Sequence, residues 1–114
     1  MVIKIVTDST CDIPNEIAEG LGITVVPVEV IFGTEAFKDG VELSPDEFYR
    51  RLIEGDDHPK TSQPAPGEFV RVFEDLGKDA DGIVSIHVSG KLSRTLNAAE
   101  QAKSLADTEC PIEV

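Results

Sequence analysis

Apolar, β-rich runs alternate with stretches of helical periodicity along this chain, and that alternation limits its fold more than any other feature. Residues 2–7 (VIKIVT), 23–32 (ITVVPVEVIF), 82–88 (GIVSIHV) and the closing 110–114 (CPIEV) read as strands. Between them, Pro14 opens a short helix that Gly22 stops. Residues 43–55 form the clearest helix: Ser44 caps it, Pro45 takes the first position, Glu47 completes a capping box and Gly55 ends it. A third helix, from about Pro66 to Leu76, places Phe69, Val72, Phe73 and Leu76 in one stripe ahead of Gly77. A fourth, over 92–106, aligns Leu92, Leu96, Ala99 and Ala102. Strands alternating with helices predict a single α/β domain with a mostly parallel sheet covered on its faces. Pro27 favours an edge or a bulge in the second strand, and Gly33 and the Asp39-Gly40 pair mark turns after it.

The chain has 114 residues and a formal charge of −12, with only ten Lys and Arg, which are scattered. That excludes a nucleic-acid partner, since a phosphate backbone needs a basic stripe. Two cysteines, Cys11 and Cys110, make no disulfide framework. The apolar N-terminus is too short for a signal peptide or a membrane span. The reading is a reduced, cytoplasmic protein. Ending within a strand, the chain reads as a fragment, residues 1–114 forming one domain of a larger molecule.

In an open α/β sheet, ligands bind beyond the carboxyl ends of the strands. Three loops fit that edge: 8–12 (DSTCD), 60–67 (KTSQPAPG) and 88–95 (VSGKLSRT). Each leads into a helix start, where free backbone N–H groups favour an anion. Thr61, Ser62, Ser89 and Ser93 would add neutral donors; the same residue types also serve as simple helix caps. Asp8, Thr10 and Asp12 depart from the common metal-loop spacings, and Cys11, Cys110, His58 and His87 lack zinc spacing. His87 and Ser89, two apart in a strand, share a face without aiming a base at a nucleophile. No nucleophile elbow and no phosphate-binding Gly-Lys-Ser/Thr loop is present. An enzyme reading survives as an alternative: a phosphate- or nucleotide-handling domain using the Asp8–Asp12 loop.

Three motifs in register, IVTDSTCDIP at 5–14, KTSQPAPGEF at 60–69 and VSGKLSRTLNAA at 88–99, resemble the DegV family of fatty-acid-binding proteins. The resemblance spans nearly the whole chain. It implies the three-layer α/β/α N-terminal domain of that family, with a second α/β domain beyond it. One long-chain fatty acid, such as palmitate or oleate, would lie in a tunnel between the two. Thr61 and Ser93 would hold its carboxylate, with Ser62, Arg94, Asp8 and Ser9 as further candidates and basic residues of the second domain completing the site. No metal and no cofactor is implied, and the protein would be a carrier without catalytic power. In some members a separate fatty acid kinase subunit phosphorylates the bound acid for phospholipid synthesis. Peripheral membrane contact and self-association of the fragment through its open sheet edge are further expectations. Two departures stand out: Arg94 replaces the glycine that follows the family's serine, and Leu96 replaces an aromatic. Without the second domain, the chain alone is expected to bind lipid weakly or not at all.

Overall fold

A computed structural model describes residues 1–55 and 58–114. Its centre is a parallel sheet of four strands in the order β2-β1-β6-β7: β1 is Ile3–Asp8, β2 Ile23–Val26, β6 Gly82–Ile86 and β7 Ile112–Glu113. Helices α1 (Asn15–Leu21), α2 (Pro45–Glu54), α3 (Pro66–Gly77) and α4 (Thr95–Leu105) occupy the connections. The α/β class and the mostly parallel sheet are as the alternation predicts. From β1 the chain goes to β2 on one side and later returns to β6 on the other. The strand order therefore reverses at β1, which opens a crevice outside the carboxyl ends of β1 and β6.

The second expected strand divides. Pro27 has no N–H to give a ladder, so β2 ends at Val26 and a new strand, β3 (Glu29–Phe32), joins a different sheet. That sheet is antiparallel, ordered β4-β3-β5, with β4 at Glu35–Lys38 and β5 at Lys60–Ser62. Gly33, at φ +62°, turns β3 into β4. The stretch 60–62, expected as loop, is a strand because its backbone pairs with residues 29–31 of β3. Ser44 caps α2 through the Glu47 amide, as expected, but the Glu47 carboxylate grips Arg50 and Arg51 instead of closing a capping box.

Strand alternation places Val6, Val26, Ile83 and Ile112 on one sheet face, and α3 and α4 cover it. Phe69 and Phe73, one helical turn apart and wholly buried, project from α3 with ring centroids 6.0 Å apart. Ala98, Ala99 and Ala102 give α4 a shallow surface that lets it lie close against them. Burial of this kind stabilises by ~25 cal/mol per Å² of apolar surface. A smaller cluster of Val30, Phe32 and Leu43, with Phe37 and Phe48 against it, joins α2 to the antiparallel sheet.

Candidate functional site

The carboxyl ends of β1 and β6 meet at Asp8 and His87. Asp8 is the last residue of β1 and caps a 3-10 turn, Ser9–Cys11, by accepting the Thr10 amide at 3.0 Å. The Thr10 hydroxyl also donates to Asp8 Oδ1. The other oxygen, Oδ2, lies 2.5 Å from His87 Nδ1, and His87 Nε2 lies 2.6 Å from Ser85 Oγ. Phe69 closes over the imidazole edge to face, at 5.2 Å between centroids. Burial pushes the Asp8 carboxyl up, but hydrogen bonds from His87 and Thr10 outweigh it and hold its pKa below the ordinary value. Asp8 is therefore an ionised carboxylate at neutral pH.

Asp8, His87 and Ser85 have the residue types of a hydrolytic triad, but a nucleophile needs access to its substrate. Ser85 is 2 % exposed, inside β6 and beneath α3 and α4. The chain of bonds is a buried brace between two strands. The partner of His87 is Ser85, and not the Ser89 that its spacing in the sequence suggests. Strand alternation puts Ser85 and His87 on the same face, and a parallel neighbour ending at Asp8 was the signal for the third member.

Above this brace, a cleft of about 220 Å³ gathers Thr10, Thr61, Ser62, Ser93, Arg94 and Thr95. Val28 and Leu92 give it apolar contacts. Thr61 and Ser62 come from β5, and Ser93 and Arg94 from the turn before α4. Neither hydroxyl of β5 bonds to another described residue, and α3 starts at Pro66 with no side-chain cap. Thr61 and Ser62 are thus not caps. Ser93 is partly one: its Oγ accepts the Thr95 amide at 3.2 Å and donates to Thr95 Oγ1 at 3.1 Å. The helix itself begins at Thr95, later than the expected Leu92, because residues 89–93 close a turn in which the Ser93 amide reaches Ser89 O.

Two candidates do not enter this cleft. Asp8 is 1 % exposed with both oxygens engaged and lies behind Thr10. Ser9 points the other way: its Oγ accepts the Val28 amide at 3.0 Å, and it lines a second cleft of about 550 Å³ with Ile13, Val25 and Pro27. The Ser9–Val28 bond ties the turn after β1 to the chain between β2 and β3. Thr10, which the sequence suggests only as part of a metal loop, lines the cleft, as do Gln63 and Thr95, which the motifs did not single out. Among the described residues, no group of three or more His, Cys, Asp or Glu is placed to hold a metal ion. Among the same residues, no helix is long and apolar enough to cross a membrane.

A site of neutral hydroxyls at a helix start suits a small polar group, and comparison with known proteins narrows the setting. A DegV domain-containing protein of Listeria monocytogenes is 43% identical over 106 residues, which are 92% of this chain and 38% of that protein. Protein DegV of Bacillus subtilis is 40% identical over 107 residues, 94% of this chain and 38% of the relative. The chain thus spans 38% of the length of these curated relatives. Among solved structures, DegV of Bacillus subtilis, described as a fatty acid binding protein, superposes with a TM-score of 0.89 at 39% identity, covering 100% of this chain and 39% of that one. A DegV family protein of Thermus thermophilus, described by its fatty acid binding, gives 0.82 at 38% identity over 99% of this chain and 41% of its own. A stearic acid-binding protein of Eubacterium ventriosum gives 0.88 at 32% identity over 96% and 40%. The model of the DegV family, whose description is an uncharacterised protein, matches residues 2–113. With the sequence matched almost from end to end and the backbone superposing on solved members, this chain belongs to the DegV family.

Proposed function

We propose that this chain supplies the head-group half of a lipid carrier, holding the carboxyl end of a long-chain fatty acid such as palmitate or oleate on Thr61 and Ser93. The observation that carries the reading is that these two hydroxyls, from separate elements, line one cleft, with Ser62 and Arg94 beside them. Solved relatives described as fatty-acid-binding support the ligand class.

The energetics suit such a ligand. An acyl chain gains ~0.8 kcal/mol for each methylene removed from water, so about 14 methylenes contribute on the order of 11 kcal/mol. The polar head opposes entry, because a carboxyl group loses hydration that only hydrogen bonds can replace. Hydroxyls and the open amides at the start of α4 replace it without burying a second charge. The cleft, at about 220 Å³, has room for the head and not for the tail. The tail then needs apolar walls elsewhere, and the portion of the longer relatives outside this chain is their natural source.

Thr61 and Arg94 are exposed, so a head group held there can be reached by a second protein. We accordingly place this molecule in the cytoplasm as a carrier, without chemistry of its own, that offers the acid to a fatty acid kinase. The test is to purify the protein at the full length of its relatives, extract it with organic solvent and identify bound lipid by mass spectrometry. One fatty acid per molecule is expected, with Thr61→Ala and Ser93→Ala lowering occupancy. Absence of any fatty acid from the full-length protein sinks the reading.

A further inference from the structure

Thr10 sits between the buried brace and the cleft, and the brace fixes which way its proton points. An ionised carboxylate can only accept hydrogen bonds. Asp8 Oδ1 faces both the Thr10 amide, at 3.0 Å, and the Thr10 hydroxyl, so that hydroxyl hydrogen is directed at Asp8 and away from the cleft. On the other side, Asp8 Oδ2 meets His87 Nδ1 at 2.5 Å, which puts a proton on Nδ1; in neutral His87, Nε2 then accepts from Ser85 Oγ at 2.6 Å. A charged His87 would reverse only the Ser85 bond and leave Thr10 as it is. Among the described residues, no buried side-chain nitrogen or oxygen lacks a partner, so no atom of the brace is left to pull Thr10 round.

Thr10 lines the cleft, and with its hydroxyl hydrogen engaged by Asp8 its oxygen has only lone pairs to offer a head group there. An anion set against it would face those lone pairs with the Asp8 charge directly behind, in a chain whose net charge is −12. Arg94, at the exposed rim, is the cleft's one cationic side chain among the described residues, and solvent screens it. We propose that Thr10 is a third head-group residue, with Asp8, His87 and Ser85 as its positioning residues. The cleft then prefers a head group that brings its own hydrogen-bond donor, an undissociated carboxyl being the example, over a permanent anion. This rests on reading the Thr61 and Ser93 cleft as a head-group site. In it, one carboxyl oxygen accepts from Thr61, or from Ser93 once its hydrogen leaves Thr95 Oγ1, and the protonated oxygen donates to Thr10.

The test uses three soluble probes with equal tails, titrated into the protein at the full length of its relatives and followed by NMR, which detects millimolar binding. Octanamide mimics the undissociated acid, methyl octanoate has acceptors only, and octanesulfonate is a permanent anion. Octanamide is expected to bind about tenfold tighter than either of the others, the worth of roughly one good hydrogen bond. Thr10→Val, a near-isostere without the oxygen, erases that preference, and Thr10→Ser retains it; a merely structural role would weaken all three probes alike. Nitrogen shifts of His87 should show a proton on Nδ1. Sulfonate or ester binding as tightly as the amide overturns the proposal, as does a His87 protonated on Nε2 alone. If all three bind equally and still depend on Thr61 and Ser93, only this inference falls. If none binds, the head-group reading falls with it. Should Thr10→Val fail to fold, the wild-type ranking and the His87 tautomer still decide.

Discussion

His87 Nδ1 lies 2.5 Å from Asp8 Oδ2, joining the carboxyl ends of two adjacent parallel strands from opposite ends of the sequence. Both side chains are almost wholly buried. Removing one partner leaves the other buried and unpaired, which costs about 3–5 kcal/mol. Asp8→Ala is expected to lose that much in urea denaturation, and a loss below about 1 kcal/mol would show the brace to be idle.

The same pair sets an acid limit. The folded pKa of Asp8 lies below its ordinary value because His87 and Thr10 donate to the charged form more strongly than burial opposes it. A carboxylate depressed in this way stabilises the fold fully above its unfolded pKa, and that stabilisation is lost as pH falls through the folded value. Denaturation midpoints should therefore decline below about pH 4, and decline less steeply in Asp8→Asn. Equal acid slopes in the two proteins would remove Asp8 as the cause.

Phe73 anchors the main core from the middle of α3, in contact with the alanine face of α4 and with no exposed surface. Phe73→Ala deletes a ring from a site whose walls are strands and cannot collapse inward, so about 3–5 kcal/mol should be lost with an unchanged denaturant slope. A changed slope would mean that the denatured state, and not the core, had altered.

Gly77 ends α3 where a β-carbon would stand 2.4 Å from Thr108 Oγ1. That oxygen accepts the Cys110 amide at 3.2 Å ahead of β7, so it cannot move aside without breaking the bond. Gly77→Ala should cost about 1–3 kcal/mol by overpacking. Adding Thr108→Ala should restore part of the loss, since the two changes act on one contact. Simple additivity of the two losses would show that the contact is not the source.

The helices and the parallel sheet were legible because periodicity reports burial, and burial is what the long elements share. The division at Pro27 was half legible. A proline announces that a ladder must break, but only the pairing of residues 29–31 with 60–62 shows that the chain leaves for a second sheet. Such pairing depends on distant sequence, and three residues of KTS carry no period to reveal it. The cleft was legible as hydroxyl-rich motifs, while the sorting of Ser9 away from Thr10 was not. Consecutive residues of a 3-10 turn point to different sides, and which side matters was decided by the Val28 amide that claims Ser9. Asp8 looked like a loop carboxylate free for ligand; its burial follows from β6 bringing His87 alongside, a contact spanning most of the chain.

Thr61 and Ser93 share the cleft but differ in what else they do, and this separates binding from folding. The Thr61 hydroxyl has no hydrogen bond to any described residue and its residue is exposed. Thr61→Ala should then leave stability within about 0.5 kcal/mol of the parent. Fatty acid affinity in the full-length protein should fall about tenfold, the effect of one lost bond to a polar head. Ser93 also holds the Thr95 amide at the start of α4. Ser93→Ala should accordingly cost about 1 kcal/mol of stability as well as affinity, and Ser93→Thr, which keeps the oxygen, should recover both. Thermal melts and ligand titrations on the same variants give the two readouts. If Thr61→Ala destabilises the fold while leaving affinity untouched, its hydroxyl serves the structure and the head-group assignment for β5 is wrong.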